Sequence, residues 1–368
     1  MDLGTREVLE ALVLPTHRGG SPEIRGALAR WPGRWYWADS GKTRLVLIRA
    51  HPGGRGPRWW LHAALLLLAA VCTLGAGAAL AGVWVPWDSG GLQGVVVGVG
   101  RFFGGVLRGD WRLLLQGWSF AVPLLAILLV HEFGHYGAAR RYLIDVSPPY
   151  FLPIPPSLSP IGTLGAFIRM RSPVLDRRQL LDVGAAGPLA GFVVVVLVLI
   201  WGYATSATAD FPAGLPAGAG MTAWVSFAGE PIALGDSLLT GWLRRWILPG
   251  GPSVHLSLPA FAGWVGAFIT GLNLLPLSQL DGGHILYGVL GRHQRLVAGG
   301  AVLSLLVLAQ ESSHWYIWVV LTFLIGGGRW THPAVVVPHR PVPVSRRLIG
   351  ALAVAVFAIT FMPVPFVV

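Results

Sequence analysis

An apolar run over residues 122–130 leads directly into the motif H-E-x-x-H, which is formed by His131, Glu132 and His135. Positions i and i+4 of an α-helix lie on one face about one turn apart, so the two imidazoles can reach the same metal ion. Ionisable groups in an apolar span are costly unless they are used, which argues against a chance occurrence. The motif therefore predicts a metal site on a membrane helix, with Glu132 beside a metal-bound water.

The composition sets the class of the chain. Of its 368 residues, 54% are hydrophobic and 12% are charged, which is typical of a polytopic membrane protein. The single cysteine, Cys72, lies in an apolar run, so we expect a small buried residue and neither a disulfide framework nor a cysteine metal site. Residues 1–56 are mixed polar, so no cleavable signal is expected there.

Seven apolar segments are candidates for membrane spans. The fifth and sixth are short for a bilayer, so we expect them to be tilted or to form a hairpin. We predict an all-α polytopic membrane protein with about six to seven transmembrane helices. The seven segments cover approximately residues 60–83, 113–137, 180–203, 256–277, 296–309, 314–325 and 348–364.

Glycine and proline mark the segments between these spans. The proline density of 147–173 forbids a long helix, and Thr163 to Arg171 predicts a short membrane-associated β-strand or hairpin next to the metal motif. The Gly-rich segment 84–112 fits either a re-entrant or interfacial helix or a loop against the membrane. We expect residues 204–256 to form a loop.

The third span carries a pair of glycines in the spacing G-x-x-x-G, Gly187 and Gly191. Small residues in this spacing let a second helix approach closely.

We divide the chain into four parts. They are a small cytosolic N-terminal segment with short strands such as Arg44 to Ala50 (1–58), a first transmembrane helix with the Gly-rich interfacial segment (59–112), a catalytic membrane core (113–295) and C-terminal transmembrane helices (296–368).

The basic residues predict the topology. With a cytosolic N terminus and seven alternating spans, 22 of the 27 Lys and Arg residues fall in inner segments, as the positive-inside rule requires. This accounts for the formal net charge of +11 without nucleic acid. It also places His131, His135 and Asp281 on one side. We expect a multi-pass protein of the cell membrane, with its N terminus and its active site toward the cytosol.

Asp281 is the predicted third metal ligand. A catalytic zinc takes three protein ligands and keeps one position open. Asp281 follows an apolar span at the depth of the two histidines, and Gly282 and Gly283 after it permit close approach. A helix-end Asp in a D-G turn is the alternative, and His284 is a second candidate ligand. We expect one Zn²⁺ per chain.

The same residues suggest a hydrolytic mechanism. Glu132 is the candidate general base, which takes a proton from the metal-bound water and returns it to the leaving amine. Asn273, predicted about two helical turns before Asp281, either hydrogen-bonds the substrate or the developing oxyanion, or joins helices inside the membrane. The predicted strand offers an edge with which an unwound substrate can pair. The strand residues proposed to bind substrate are Gly165, Ala166 and Phe167.

These motifs resemble those of the site-2 protease family of intramembrane zinc metalloproteases. Residues 131–135 match its H-E-x-G-H, and residues 273–283 match its N-x-x-P-x-x-x-L-D-G-G. Residues 162–173 and 184–191 also resemble family segments, so the likeness covers about 113–290. It implies zinc, a three-helix catalytic core and cleavage of transmembrane segments of other proteins. In such families the substrate is often trimmed first, and the second cut releases a regulatory fragment.

The chain departs from the family pattern, and two other classes of protein remain alternatives. Many relatives carry a PDZ domain of about 80–100 residues between core helices, for which 204–256 is too short. An ion or proton transporter could use the same polar cluster, although it gives no reason for the zinc-ligand spacing. A catalytically inactive membrane scaffold is disfavoured by the intact Glu132 and both histidines.

Overall fold

The computed structural model describes residues 6–17, 21–38, 41–50, 57–84, 91–171, 174–212, 223–248, 253–332, 335, 337–338 and 340–367. Most of the described chain is helical. The helices are α1 (Pro22–Ala29), α2 (Trp59–Leu80), α3 (Gly91–Arg108), α4 (Trp111–Leu115), α5 (Trp118–Arg141), α6 (Arg177–Ala204), α7 (Leu238–Ile247), α8 (Leu258–Asn273), α9 (Asp281–Leu290), α10 (Gln294–Glu311), α11 (His314–Ile325) and α12 (Val344–Thr360).

Three helices, α2, α5 and α6, are long and apolar enough to cross a membrane, and α8 and α11 are shorter apolar helices. This confirms a mostly helical membrane protein. The strands are short. They are β1 (Arg6–Leu12), β2 (Arg34–Trp37), β3 (Arg44–Ala50), β4 (Tyr150–Pro153), β5 (Thr163–Phe167), β6 (Ala207–Thr208), β7 (Ala223–Phe227), β8 (Glu230–Leu234), β9 (Val254–His255) and β10 (Phe366–Val367).

The N-terminal strands form an antiparallel sheet in the order β1-β3-β2. The strand predicted over Arg44 to Ala50 is confirmed as β3. Val46 and Ile48 of β3 are buried, as is Leu28 of α1, so these side chains give the sheet an apolar inner face. The sheet is held to the helical part by a hydrogen bond from Gln179 Nε2 at the start of α6 to Tyr36 Oη, at 2.6 Å.

Helix α6 is the centre of the helical part, because α5, α8, α9 and α12 all pack against it. Small residues bring the backbones together. A Cβ at Gly263 of α8 would lie 2.9 Å from the Leu199 side chain, and one at Gly266 would lie 2.7 Å from Ile127. Leu199 and Ile127 are both buried. The interior is therefore packed by close helix approach, as expected where lipid removes the usual hydrophobic drive.

The second predicted span begins and ends differently from the prediction. The short helix α4 precedes α5, which starts at Trp118 and continues through Arg141. Gly117 lies between them, and a Cβ there would meet the backbone of α2 at Ala78 N, 2.6 Å away. The helix breaks where the chain touches α2. Pro123 is accommodated inside α5, in its second turn.

The Gly-rich segment 84–112 contains a helix of 18 residues, α3, which decides between the two alternatives there in favour of a helix. Phe102 of α3 belongs to one buried cluster with Cys72 of α2 and Leu114 of α4. Cys72 is thus a small buried apolar side chain, as expected. Residues 85–90 of this segment lie outside the described part of the chain.

The loop predicted over 204–256 is wrong, and the described chain contains more small sheets than the one short strand or hairpin that the fold prediction included. The segment forms β6 to β9 and α7, and with β10 it makes a five-stranded sheet in the order β10-β8-β7-β9-β6. Alternate side chains of β7, namely Ala223, Val225 and Phe227, are buried. We call β6 to β10 together with α7 the cap. Residues 213–222 and 249–252 of the predicted loop lie outside the described part.

The junction before Asp281 also differs from the prediction. Helix α8 ends at Asn273, residues 274–280 are irregular, and Asp281 is the first residue of α9. Asp281 therefore begins a new helix, and Asn273 is separated from it by a turn and not by two helical turns. Pro276 lies in this turn, where it has no helical hydrogen bond to disrupt.

Candidate active site

The two histidines of the H-E-x-x-H motif are buried on one face of α5. Their Nε2 atoms are 3.1 Å apart. Two neutral imidazoles with both Nε2 lone pairs directed at one point would repel each other, and a cation between them removes that repulsion. The spacing on the helix therefore produces a pair of donors aimed at a common centre.

Asp281 completes this pair. Its Oδ2 atom lies 3.3 Å from His131 Nε2 and 3.3 Å from His135 Nε2. Four ligands at about 2.0–2.1 Å from a tetrahedral zinc are about 3.3–3.4 Å from one another. The three donor atoms thus fit three corners of a zinc tetrahedron. Within the described residues, these three side chains form the one group of His, Cys, Asp or Glu with such spacing.

A hydrogen bond fixes the tautomer of His135. Its Nδ1–H donates to the backbone oxygen of Val183 in α6, at 2.7 Å. Since Nδ1 then carries the proton, Nε2 keeps its lone pair for a metal. Such a partner behind a metal-ligating imidazole also holds the ring in its orientation.

Glycines of α6 make room for both imidazoles. A Cβ added at Gly187 would overlap the ring of His135, and one at Gly191 would lie 3.1 Å from His131 Cβ. The G-x-x-x-G pair thus allows α5 to approach α6 with two histidines in the interface. Gly134 of α5 contributes from the other side, since its Cβ would lie 2.5 Å from Ala186 O.

Asp281 is positioned by the turn that precedes it. Gln294 Nε2 donates to Pro276 O at 3.1 Å, and Ser278 N donates to Trp330 O at 2.7 Å. The first turn of α9 is folded tightly against this segment, because a Cβ at Gly283 would lie 2.7 Å from Leu277 O. The two glycines after Asp281 therefore serve close packing of the chain on itself.

Glu132 lies beside the donor triangle in a cavity of about 180 Å³. It is buried, and the backbone N–H of Ile168 faces its carboxylate. Asn273 also lines the cavity, with Nδ2 3.5 Å from His131 Nε2. The cavity thus contains a carboxylate and an amide next to the three donors.

The β4–β5 pair forms one wall of the cavity. Its strands are antiparallel, with Tyr150 opposite Phe167 and Phe151 opposite Ala166. Ala166 and Phe167 line the cavity. Gly165 has a positive φ of +97°, which favours glycine, and its N–H donates to Thr163 Oγ1 at 3.0 Å. The strand predicted over Thr163 to Arg171 is present as β5, and it ends at Phe167.

One residue near the site escaped the sequence analysis. His332, from the segment between α11 and α12, hydrogen-bonds to His284, with 2.8 Å between His332 Nε2 and His284 Nδ1. His284 lines the cavity but is not part of the donor triangle. No local pattern identifies His332, because its partner is 48 residues away in sequence.

A helix-borne pair of histidines with an intervening glutamate, completed by an aspartate from a second helix, defines a metallopeptidase-type site within a helical membrane core. The sequence profile of peptidase family M50 matches residues 119–310. This is more than half of the chain, and the chain belongs to this family, which confirms the resemblance to site-2 proteases. The match runs past 290 and ends at Gln310 in the last turn of α10.

Two curated relatives carry the name of probable zinc metalloproteases of the chloroplast. EGY2 of Arabidopsis thaliana is 31% identical over 218 residues, which are 59% of this chain and 37% of that protein. EGY1 of Oryza sativa subsp. japonica is 34% identical over 211 residues, 54% of this chain and 33% of that protein. The chain thus spans about a third of the length of these relatives. No solved structure gives a significant match.

Proposed function

We propose that this protein is an intramembrane zinc metalloprotease that hydrolyses peptide bonds in or near transmembrane segments of other membrane proteins. The observation that carries the proposal is the donor triangle of His131, His135 and Asp281, with edges of 3.1, 3.3 and 3.3 Å, beside the buried carboxylate of Glu132. Membership of family M50 and relatives named as zinc metalloproteases support it.

One Zn²⁺ per chain is the proposed cofactor, held by the three donors of the triangle. Bound there, it would supply a Lewis acid and would lower the pKa of a water in the cavity. Glu132 lies beside the triangle, so its carboxylate would accept a proton from an attacking water in the cavity. As an acid it would then donate that proton to the leaving amine, which would make it both base and acid within one turnover.

Two further groups are proposed to act on the substrate. Asn273 Nδ2 reaches the edge of the donor triangle and can donate to the carbonyl oxygen as negative charge develops. Strand β5, with Gly165, Ala166 and Phe167, has β4 on one edge, and within the described residues no strand covers its other edge. An extended, unwound substrate can pair along that edge and bring its backbone to the cavity.

We further propose seven membrane spans, formed by α2, α5, α6, α8, α10, α11 and α12, with residues 113–295 as the catalytic core. Three of these helices, α2, α5 and α6, are long and apolar enough to cross a membrane, and α8 and α11 are shorter apolar helices. The site contacts the start of α6 and the end of α8, whereas the cap follows directly after the end of α6. The N-terminal sheet binds the start of α6. We place the N terminus and the site together on the cytosolic side of a cell membrane, because most basic residues lie there.

The experiment compares Glu132→Gln and Asp281→Ala with the unchanged protein in proteoliposomes. The assay measures cleavage of a single-span membrane protein and zinc per chain. We expect Glu132→Gln to keep one zinc and lose at least about 100-fold in cleavage rate, the usual scale of general acid–base catalysis. Asp281→Ala should lose stoichiometric zinc, since two imidazoles remain.

Glu311→Gln, an exposed change at the end of α10, is the matched control and should behave as wild type. An unchanged zinc content in Asp281→Ala would mean that a different residue is the third ligand. Cleavage that survives Glu132→Gln would refute the protease mechanism. A change in ion or proton flux without any proteolysis would favour a transporter.

A further inference from the structure

A second cavity, larger than the one at the metal site, lies between the N-terminal sheet, the start of α6 and the segment that leads into α12. Its volume is about 610 Å³, which is within the range of sites for small molecules. We call it the arginine cleft. Its polar lining consists of Thr43, Arg44, Asp176, Arg178, Arg340 and Arg346.

Ion pairs organise the cleft without neutralising it. Arg340 Nη1 lies 3.1 Å from Asp176 Oδ2, and Arg340 also pairs with Glu10 of β1. Arg346 Nε lies 3.1 Å from Asp182 Oδ2. Glu10 also pairs with Arg44, with 3.7 Å between Glu10 Oε1 and Arg44 Nη1.

The charges in and around the cleft leave an excess of positive charge. Arg177, which donates to Arg340 O at 3.2 Å, adds a fifth arginine to the four in the lining. Among the described residues, these five arginines accompany three carboxylates, those of Glu10, Asp176 and Asp182. The described side chains of this region therefore carry more positive than negative charge.

One guanidinium in the lining has a donor that the described protein does not satisfy. The Nε atom of Arg178 is shielded from solvent and has no hydrogen-bond partner among the described residues. A shielded donor without a partner is costly, so this guanidinium, which also lines the cleft, stands to gain from an added acceptor.

We propose that the arginine cleft binds a phosphate-bearing anion. A guanidinium matches phosphate oxygens in a planar, bidentate geometry and keeps its charge at every physiological pH. A phosphomonoester carries close to two negative charges, which complement the four arginines in the lining of the cleft. The volume also accommodates the headgroup of an anionic phospholipid, and the cleft lies where α6 begins, at the proposed cytosolic interface.

Binding in the cleft would join parts of the chain that are distant in sequence. Arg44 belongs to the N-terminal sheet, Arg178 to α6, and Arg340 to the segment before α12. An anion that contacts all three would fasten the sheet onto α6, the helix whose glycines pack against the two histidines. This proposal is independent of whether the protein cleaves peptides, because its test measures binding and stability.

The test uses the full chain in nanodiscs. In the first arm, phosphatidylcholine nanodiscs are titrated with inorganic phosphate at constant ionic strength. In the second arm, nanodiscs of phosphatidylcholine are compared with an equal mixture of phosphatidylcholine and phosphatidylglycerol. The readout is the midpoint of thermal unfolding. We expect stabilisation in the first arm for a soluble phosphate, or in the second arm for a lipid headgroup.

The variants make the outcome specific. Arg178→Gln should abolish the stabilisation or weaken the apparent affinity about tenfold, the loss expected for one charge-assisted hydrogen bond. Arg295→Gln removes the same charge from an exposed position on α10 and should leave the response intact. Arg44→Gln repeats the test from the sheet side if Arg178→Gln fails to fold. No stabilisation in either arm, or an equal response in the cleft and control variants, would overturn the proposal.

Discussion

At the scale of single residues, the two histidines depend on neighbours that have no functional group of their own. Helix α6 offers glycine at both positions where α5 presents an imidazole, and added Cβ atoms would meet the rings to different degrees. Rigid interfaces do not absorb such overlaps without moving side chains or backbone. Zinc affinity should therefore be sensitive to residues that never contact the metal.

A graded series of glycine substitutions tests this dependence. Gly187→Ala, whose methyl group overlaps His135, should reduce zinc per chain and cleavage most strongly. Gly191→Ala, at 3.1 Å from His131 Cβ, should have a smaller effect. Gly299→Ala in α10 meets nothing within 4 Å and is the control. It should be neutral or stabilise by up to about 1 kcal/mol, since alanine favours helix.

Metal analysis and thermal unfolding of the three variants distinguish a local effect from general destabilisation. We expect Gly187→Ala to lose zinc even at temperatures where its helical circular dichroism is unchanged. Full zinc occupancy in Gly187→Ala would show that α6 can move away from α5 at little cost, contrary to the tight packing of these two helices at Gly187.

Residues within one local motif were accessible from the sequence, whereas their distant partners were not. The i, i+4 spacing alone directs His131 and His135 to one face. Asp281 could be predicted because its expected depth in the membrane equals that of the two histidines. The prediction placed it at the end of a span, whereas the structure places it at the start of α9. His332 lies in a segment without periodicity, so nothing in the sequence connects it with His284.

At the scale of elements, long apolar helices could be predicted because hydrophobic length is a local property. The cap could not. Its sheet joins strands of two to five residues from 207–255 with β10 from the other end of the chain, and β7 pairs in parallel with β9. Such short strands carry no periodic signal, and their stability depends on pairing with partners remote in sequence.

The N-terminal sheet provides a prediction at this scale, because its attachment to α6 involves a titratable group. Burial raises the pKa of Tyr36 to about 12, while the Gln179 amide donates to its hydroxyl. The folded state therefore holds the phenolic proton more tightly than the unfolded state, whose pKa is about 10. The stabilisation is complete below pH 10 and is lost as the pH rises from about 10 to 12.

The temperature of the thermal unfolding midpoint should thus decrease as the pH rises from 10 to 12. The decrease should be steeper in wild type than in Tyr36→Phe, which lacks the ionisable group. Tyr316→Phe, a change at an exposed tyrosine of α11, is the matched control and should keep the wild-type slope. Absorbance of tyrosinate, as the difference between wild type and Tyr36→Phe, reports the ionisation directly. A difference spectrum that appears at ordinary tyrosine pKa would contradict the buried contact with Gln179.

At the scale of the whole molecule, two ends can be distinguished. The N-terminal sheet and the metal site both contact the start of α6. At the other end the cap meets the end of α2, where Ala228 N donates to Ala79 O, and it includes β10 after α12. In the proposed topology a membrane lies between these two ends, so it would separate the N-terminal sheet from the cap.

Single-cysteine labelling tests this separation, and the chain is well suited to it because its one natural cysteine, Cys72, is buried. In a Cys72→Ala background, Arg25→Cys places a thiol at an exposed position of α1. Glu230→Cys places one at an exposed position of the cap, where the turn between β7 and β8 ends. A membrane-impermeant maleimide should label Glu230→Cys in intact spheroplasts and Arg25→Cys only after lysis. Unmodified protein, with Cys72 alone, should stay unlabelled in both. Labelling of both introduced thiols before lysis would place the sheet and the cap on one side, which would contradict the proposed topology.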